Sequence, residues 1–210
     1  MKAYFVPTLK EGEKIFGIDF KPAGNGIKQG EYNGIPVFVT GITKTSAAFS
    51  AALIIKEFGV TEAVLTGICG AYRSSGLFVG DVVSIYRDFF ADEAVFYNDR
   101  IVGLGEIGLD MPSAGASEYL CASDLPIVNS NTVSFLDGEG EISSMLAEKT
   151  GAGVENMEGA AFGYVCNMLG VKAYQIRAVS NFCGSRQDQE WDIKKAFVKL
   201  KSYYENSSLY

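Results

Sequence analysis

Short apolar runs alternate with amphipathic stretches along the whole chain. Ala3–Pro7 reads as a first strand, with Leu9–Phe16 a helical turn behind it. Gly34–Thr40 is a second strand, its apolar positions being Ile35, Val37, Phe38 and Val39. Thr45–Phe58, rich in Ala, Leu and Ile, predicts a helix that stops near Gly59, because glycine accepts the backbone turn that closes a helix. Ala63–Thr66 is a buried strand running into Gly67-Ile68-Cys69-Gly70, and Asp81–Tyr86 is another, with Val82, Val83 and Ile85. Across residues 91–130 the pattern weakens. Gly103, Gly105, Gly108, Pro112 and Gly115 suggest loops there, before a strand over Ile127–Phe135. Helices follow at Glu141–Thr150 and at Gly159–Leu169, the second closed by Gly170. Ala173–Val179 is a strand, and Gln189–Asn206 a last helix whose apolar face is Trp191, Ile193, Phe197 and Leu200.

Strands and helices alternating in this way predict an α/β sheet covered on both faces. No internal repeat or low-complexity linker interrupts the pattern, so residues 1–210 are expected to form one domain.

Composition narrows the classes. Hydrophobic residues make up 48% and charged residues 20%, as in a globular chain rather than a disordered one. A net charge of -7 argues against nucleic acid as the main partner, since phosphate binding needs a basic face. No apolar run reaches membrane-spanning length, and Met1 to Leu9 lacks the features of a signal peptide. Cysteines stand at 69, 121, 166 and 183 without a paired spacing. That pattern speaks against a disulfide framework or zinc site and for a reduced, cytoplasmic protein. Histidine is absent, which removes Ser-His-Asp and Cys-His catalysis and His-ligated metals. Acid–base chemistry then falls to carboxylates, Lys, Tyr or bound water.

Two segments stand out. Val154-Glu155-Asn156-Met157-Glu158-Gly159-Ala160-Ala161 puts carboxylates ahead of a small, apolar helix start. Arg177-Ala178-Val179-Ser180-Asn181 ends an apolar strand in an amide. A carboxylate at Glu158 either complements a helix N-terminus or accepts hydrogen bonds from a pair of hydroxyls. Glu155 fits the first role better. The glycines of Gly67-Ile68-Cys69-Gly70 let backbone approach a ligand closely, or form an ordinary tight turn.

At this spacing the two segments resemble the ribose- and base-contacting parts of the nucleoside phosphorylase and nucleosidase superfamily. The resemblance implies a single three-layer domain with a mixed central sheet flanked by helices. It further implies a nucleoside as small-molecule partner, no metal or organic cofactor, and a homodimer or larger homo-oligomer. Met157 and Glu158, with Asn156 beside them, match the ribose-contacting positions. Cys69 and Gly70 match the turn under the ribose, and Phe135 the aromatic that stacks on the base, though a core role suits Phe135 equally. The general base is expected shortly after the first strand: Glu11, four residues past Pro7, with Glu13 in reserve.

Two departures select within the superfamily. Adenine-releasing nucleosidases carry Asp where this chain has Asn181. An amide both donates and accepts, so Asn181 suits a 6-oxopurine: it donates to O6 and accepts from N7–H as the base leaves. Phosphorylases of the hexameric type carry an Arg where this chain has Leu65, so water is the expected nucleophile; Arg73, just beyond, is the residue that would restore a phosphate site. The closest branch resembles futalosine hydrolase, with support from Arg186, Asp188 and Trp191. This implies release of hypoxanthine from futalosine, whose 5′ end carries a carboxylated group, in menaquinone biosynthesis. The alternatives are a methylthioadenosine/adenosylhomocysteine nucleosidase, a purine nucleoside phosphorylase and a non-catalytic nucleoside-binding protein. Arg73 and Arg186 are the candidates for meeting a substrate carboxylate.

Overall fold

The first strand sets the layering. In β1 (Lys2–Val6), Ala3 and Phe5 enter one apolar cluster while Tyr4 and Val6 enter another, as a pleated strand covered on both faces requires. The structure is a computed structural model that describes residues 1–110, 115–138, 140–184 and 191–206.

Helix α1 (Leu9–Phe16) starts at Thr8, whose hydroxyl accepts from the Glu11 amide, and ends at Gly17 with φ 67°. Strands β2 (Lys21–Pro22), β3 (Lys28–Tyr32) and β4 (Ile35–Val39) form an antiparallel run. Helix α2 (Lys44–Phe58) closes on Gly59 at φ 65°. Next come β5 (Glu62–Ala71), β6 (Val82–Phe90), a hairpin of β7 (Ala94–Tyr97) and β8 (Arg100–Gly103), then β9 (Ala116–Glu118) and β10 (Ile127–Thr132). The chain continues through α3 (Glu141–Thr150), β11 (Val154–Asn156), α4 (Gly159–Met168), β12 (Lys172–Phe182) and α5 (Ile193–Asn206). No described helix is long and apolar enough to cross a membrane.

Among the described residues, ten strands make one mixed sheet in the order β11-β10-β6-β12-β5-β1-β4-β3-β2, with β9 added on β6. β5 runs parallel to β1 and β12, while β12 meets β6 antiparallel. β11 pairs parallel with β10 on one edge and antiparallel with the end of β5 on the other, Glu155 opposite Gly70. Five strands (β5, β12, β6, β10 and β11) thereby close into a ring. Helices α2 and α4 pack on one face through Ala51, Ile54 and Phe162. Helices α1 and α5 pack on the other through Ile15, Phe197, Leu200 and Tyr204.

The α/β class and the mixed sheet between helices agree with expectation. Three differences have physical causes. Gly67–Gly70 is not a turn: β5 runs straight through it, because β12 pairs along it to Phe182–Ala71, and neither glycine has positive φ. Glu155 is not at a helix start; it lies in the three-residue strand β11. The weakly patterned middle holds β7, β8 and β9, with Asn98 and Asp99 both at positive φ in the hairpin turn. Pro112, Arg186, Asp188 and Gln189 lie outside the described residues.

Candidate active site

The C-terminal ends of β1, β5 and β12 open together, where open α/β sheets place their ligands. A cavity of about 240 Å³ lies there, reached by Glu11, Ile68, Asn156, Glu158, Arg177 and Asn181, among others.

Glu11 comes from the first turn of α1 and is buried, with 5% of its surface exposed. Oε2 accepts from the Thr8 hydroxyl at 2.7 Å and Oε1 from the Ile68 amide at 3.1 Å. Thr8 thus caps the helix and orients the carboxylate with the same oxygen. Burial pushes the Glu11 carboxyl up to about 7; the nearby Glu158 charge adds to the rise, while Thr8 and Arg177 oppose it. Glu13, two residues on, is exposed. Gly67 explains the close fit: a Cβ there would stand 2.6 Å from Glu11 Oε1 and 3.0 Å from Arg177 Nη1.

Arg177 is the buried cation of the site, with none of its surface exposed. Nη2 donates to Glu158 Oε2 at 3.1 Å and to Asn156 Oδ1 at 3.2 Å, and Nη1 to the Ile68 carbonyl at 3.3 Å. Burial pulls its pKa down, but Glu158 and Glu11 more than offset that and hold the guanidinium charged. Glu158 is itself held above the usual carboxylate range, by burial first, with Arg177 opposing. Two buried carboxyl groups therefore face one guanidinium, Glu158 through a hydrogen bond and Glu11 through its charge alone, and burial raises both above the usual carboxylate range.

Asn156 builds the segment around Glu158. Its Oδ1 accepts from the Glu158 and Gly159 amides at 2.8 and 2.7 Å, which satisfies the start of α4. Its Nδ2 donates to Asp88 Oδ2 at 2.7 Å. Asp88, fully buried on β6, also accepts from Thr132 Oγ1 at 2.7 Å and Gln175 Nε2 at 2.9 Å. Burial raises the Asp88 carboxyl above its ordinary range.

At the other side, Asn181 follows a bulge in β12 at Ser180. Its Oδ1 lies 2.8 Å from Ser180 Oγ, and Nδ2 donates to the Phe182 carbonyl at 3.0 Å. One amide proton and one lone pair remain for a ligand. Gly70 leaves room for this group: a Cβ there would come within 2.6 Å of Cys183 Sγ and 3.3 Å of Asn181 Nδ2.

The cavity brings together Glu11, Cys69, Gly70, Asn156, Met157, Glu158 and Asn181. The Asn156 side chain is occupied in holding α4, Arg177 and Asp88, so it shapes the ribose segment rather than offering a free amide. Cys69 is buried and its thiol is pushed up to about 12 by burial, which keeps it from acting as a thiolate. Phe135 is not brought to the cavity with the others: it is 46% exposed, and the cavity's edge is formed by its neighbours Leu136 and Asp137. Leu65 is likewise in the core between sheet and helices, not at the cavity wall. Arg73 is exposed, its guanidinium over the Phe182 ring at 5.3 Å, outside the cavity.

The sequence pattern gives Arg177 no role of its own, and Asp88 does not stand out in it. A charged residue inside an apolar central strand was the available signal, because such residues are rarely buried unless paired. Glu155 also lines the cavity. It accepts from the Tyr72 hydroxyl at 2.8 Å, and burial pushes it up to about 7.

Comparison with known proteins places the chain in a family. The Phosphorylase superfamily model matches residues 6–203. The chain is 31% identical to the futalosine hydrolase of Thermus thermophilus, over 92% of this chain and 89% of that protein. It is 28% identical to the 5′-methylthioadenosine/S-adenosylhomocysteine nucleosidase of Colwellia psychrerythraea, over 81% and 76%. A Helicobacter pylori futalosine hydrolase mutant shares the fold, with TM-score 0.75, 18% identity and 98% and 99% coverage. The chain belongs to the Phosphorylase superfamily. Within it, this is an enzyme of the nucleosidase kind, an N-glycosyl hydrolase.

Proposed function

We propose that the chain hydrolyses the N-glycosidic bond of futalosine and releases hypoxanthine. The observation that carries this reading is the pairing, across one cavity, of a buried glutamate near pH 7 with an amide rather than a carboxylate at the base end. In the proposed reaction Glu11 takes a proton from water as the water oxygen bonds to C1′. The C1′–N9 bond breaks, and its electron pair leaves with the purine, which takes a proton at N7 from solvent water, while Glu11 afterwards returns its proton to solvent. Glu158 accepts hydrogen bonds from the ribose hydroxyls, and its negative charge favours the oxocarbenium-like ribosyl group. Asn181 donates to O6 and accepts from N7–H.

Water rather than phosphate suits the electrostatics. A phosphate dianion would face Glu11, Glu155, Glu158 and Asp137 along the cavity; of the cations there, Arg177 is buried and already engaged by Glu158, and Lys10 is exposed at the edge. Positioning and fixed charge carry the rate.

The test incubates the protein with futalosine, inosine and 5′-methylthioadenosine, with and without phosphate, and follows free base and the sugar product. Hypoxanthine from futalosine without phosphate dependence is expected. Adenine release from methylthioadenosine as the dominant activity would overturn the reading, and a ribose phosphate product would replace hydrolysis by phosphorolysis.

A further inference from the structure

Glu155 lines the catalytic cavity but has no part in the proposed reaction. It stands on β11 opposite Gly70 of β5, and Asn181 stands on β12 opposite the same glycine. Directly opposed residues leave a sheet by the same face. The two side chains therefore rise on either side of Gly70, which has none of its own. Adjacent strands lie about 4.8 Å apart, so about 10 Å separates the two backbones. The edge of a purine fits that gap with one hydrogen bond at each end. The Cys183 thiol covers Gly70 itself, since a Cβ there would stand 2.6 Å from Sγ.

Only half of the Glu155 carboxyl is used by the fold. Oε2 accepts from the Tyr72 hydroxyl at 2.8 Å, and Asn131 Nδ2 donates to that hydroxyl at 3.0 Å, so the single Tyr72 proton is committed to Glu155. Oε1 takes no hydrogen bond from the described residues, although Glu155 is buried. Such an oxygen calls for a partner, because buried polar groups are hydrogen-bonded as a rule. Glutamine would hold the Tyr72 hydroxyl as well without a charge, so the strand contact does not account for a carboxyl group. Two further carboxylates face it, and both are engaged elsewhere. Asp137 Oδ2 accepts from the Gly140 and Ser143 amides, and Asp92 pairs with Lys44. The Cys183 thiol, also beside it, is kept neutral by burial.

We propose that Glu155 reads position 1 of the purine, its free oxygen accepting from the N1–H of a 6-oxopurine. The proposal rests on the reading of the cavity as a purine nucleoside site with the base at Asn181. Asn181 takes O6 and N7, and N1 is the next polar atom along that edge. A 6-aminopurine has a lone pair at N1 instead of a proton, and an ionised Glu155 repels it. Because Tyr72 holds Oε2, a protonated Glu155 carries its proton on Oε1 and donates to that lone pair. One side chain thus selects 6-oxopurines when ionised and admits 6-aminopurines when protonated. Burial places the change near pH 7, where the carboxyl is held at about 7.

The free bases test this apart from the sugar and its reaction. Hypoxanthine and adenine are titrated calorimetrically into the unmodified protein at pH 6 and pH 8. The preference for hypoxanthine is expected to grow at least about tenfold between the two, as one hydrogen bond to a charged group replaces one from a neutral acid. Glu11 lies on the ribose side, so its own titration acts on both bases alike and cancels in the ratio. In Glu155→Gln the carbonyl stays on Tyr72 and the ratio should change by less than about twofold over the same range. A third base, 1-methylhypoxanthine, keeps O6 and N7 but lacks the N1 proton. At pH 8 the unmodified protein should bind it about ten- to hundredfold more weakly than hypoxanthine. Glu155→Ala, which also makes room for the methyl group, should bring the two within about threefold. A ratio of hypoxanthine to adenine that ignores pH in the unmodified protein overturns the proposal, whether or not the variants fold. So does full discrimination against 1-methylhypoxanthine in Glu155→Ala. If the bases bind as expected but futalosine is not cleaved, the hydrolase reading fails and the role of Glu155 stands. If neither hypoxanthine nor adenine binds, both fall.

Discussion

Glu11 owes its chemistry to its surroundings. An exposed glutamate is a weak base, but burial lifts this one to about 7, near the optimum for proton transfer at neutral pH. Turnover is expected to fall about tenfold for each pH step below 7, as the carboxyl is protonated; a flat profile from pH 5.5 to 8 would remove Glu11 as the base. Glu158→Gln should lower kcat by roughly two to four orders of magnitude with the melting curve retained, since the charge facing the ribosyl group is lost. Near-normal turnover would take Glu158 out of the mechanism. Asn181→Asp should shift preference toward adenine nucleosides, measured as the ratio of kcat/KM for methylthioadenosine and inosine. Much of this was legible. Glu11, Glu158 and Asn181, which meet in one cavity, are marked in one dimension by their neighbours: Pro7, Met157 and the apolar run before Asn181. Arg177 was not assigned a role, because its partners Glu158 and Asn156 meet it only after β11 and β12 have both joined the ring. Phe135 lies outside the cavity lining, and no periodicity says which side of the strand's end an aromatic leaves by.

At the scale of elements, β5 and β12 carry the site between them. Gly67 and Gly70 are the places where β5 yields space to side chains from α1 and β12. Arg177→Met removes the cation that Glu158 and Glu11 face. It is expected to lower the unfolding free energy by about 3–5 kcal/mol, the usual result of leaving buried charge unpaired. Urea denaturation at pH 8 checks this, and a loss below about 1 kcal/mol would mean that water enters to solvate the pair. Arg177→Lys should not restore the wild-type midpoint, because an ammonium cannot bridge Glu158, Asn156 and the Ile68 carbonyl with one planar fork. Helix ends were the best-read elements, with Gly17, Gly59 and Gly170 each at positive φ where the chain turns away. Strands were cut short at Gly67 and at Tyr86, because glycine and polar residues look like punctuation until a neighbouring strand supplies the pairing.

For the whole molecule, buried carboxyl groups set an unusual pH dependence of stability. Glu11 and Glu155 are both raised from an ordinary 4.5 to about 7. Between those values the folded state holds protons that the unfolded chain has lost, so the contribution of these two groups to stability is full below about 4.5 and is lost as pH rises through 7. Each shift corresponds to about 3 kcal/mol. Unfolding free energy is therefore expected to drop by several kcal/mol between pH 5 and pH 8, measured by urea titration at fixed pH. A rise over that range would show the two carboxyls to be ionised throughout. The pH at which Glu11 works is thus one at which the fold has given up part of its stability. The order of strands adds a consequence for biosynthesis. β12, near the end of the chain, inserts between β5 and β6, which were made long before it and do not pair with each other. While residues 172–182 are still in the ribosomal tunnel, the emerging chain holds an open slot flanked by two long unpaired edges. Such edges recruit other strands, so arrest of translation in this window should yield aggregates rather than a soluble intermediate. The site's cation arrives with the strand that closes the slot.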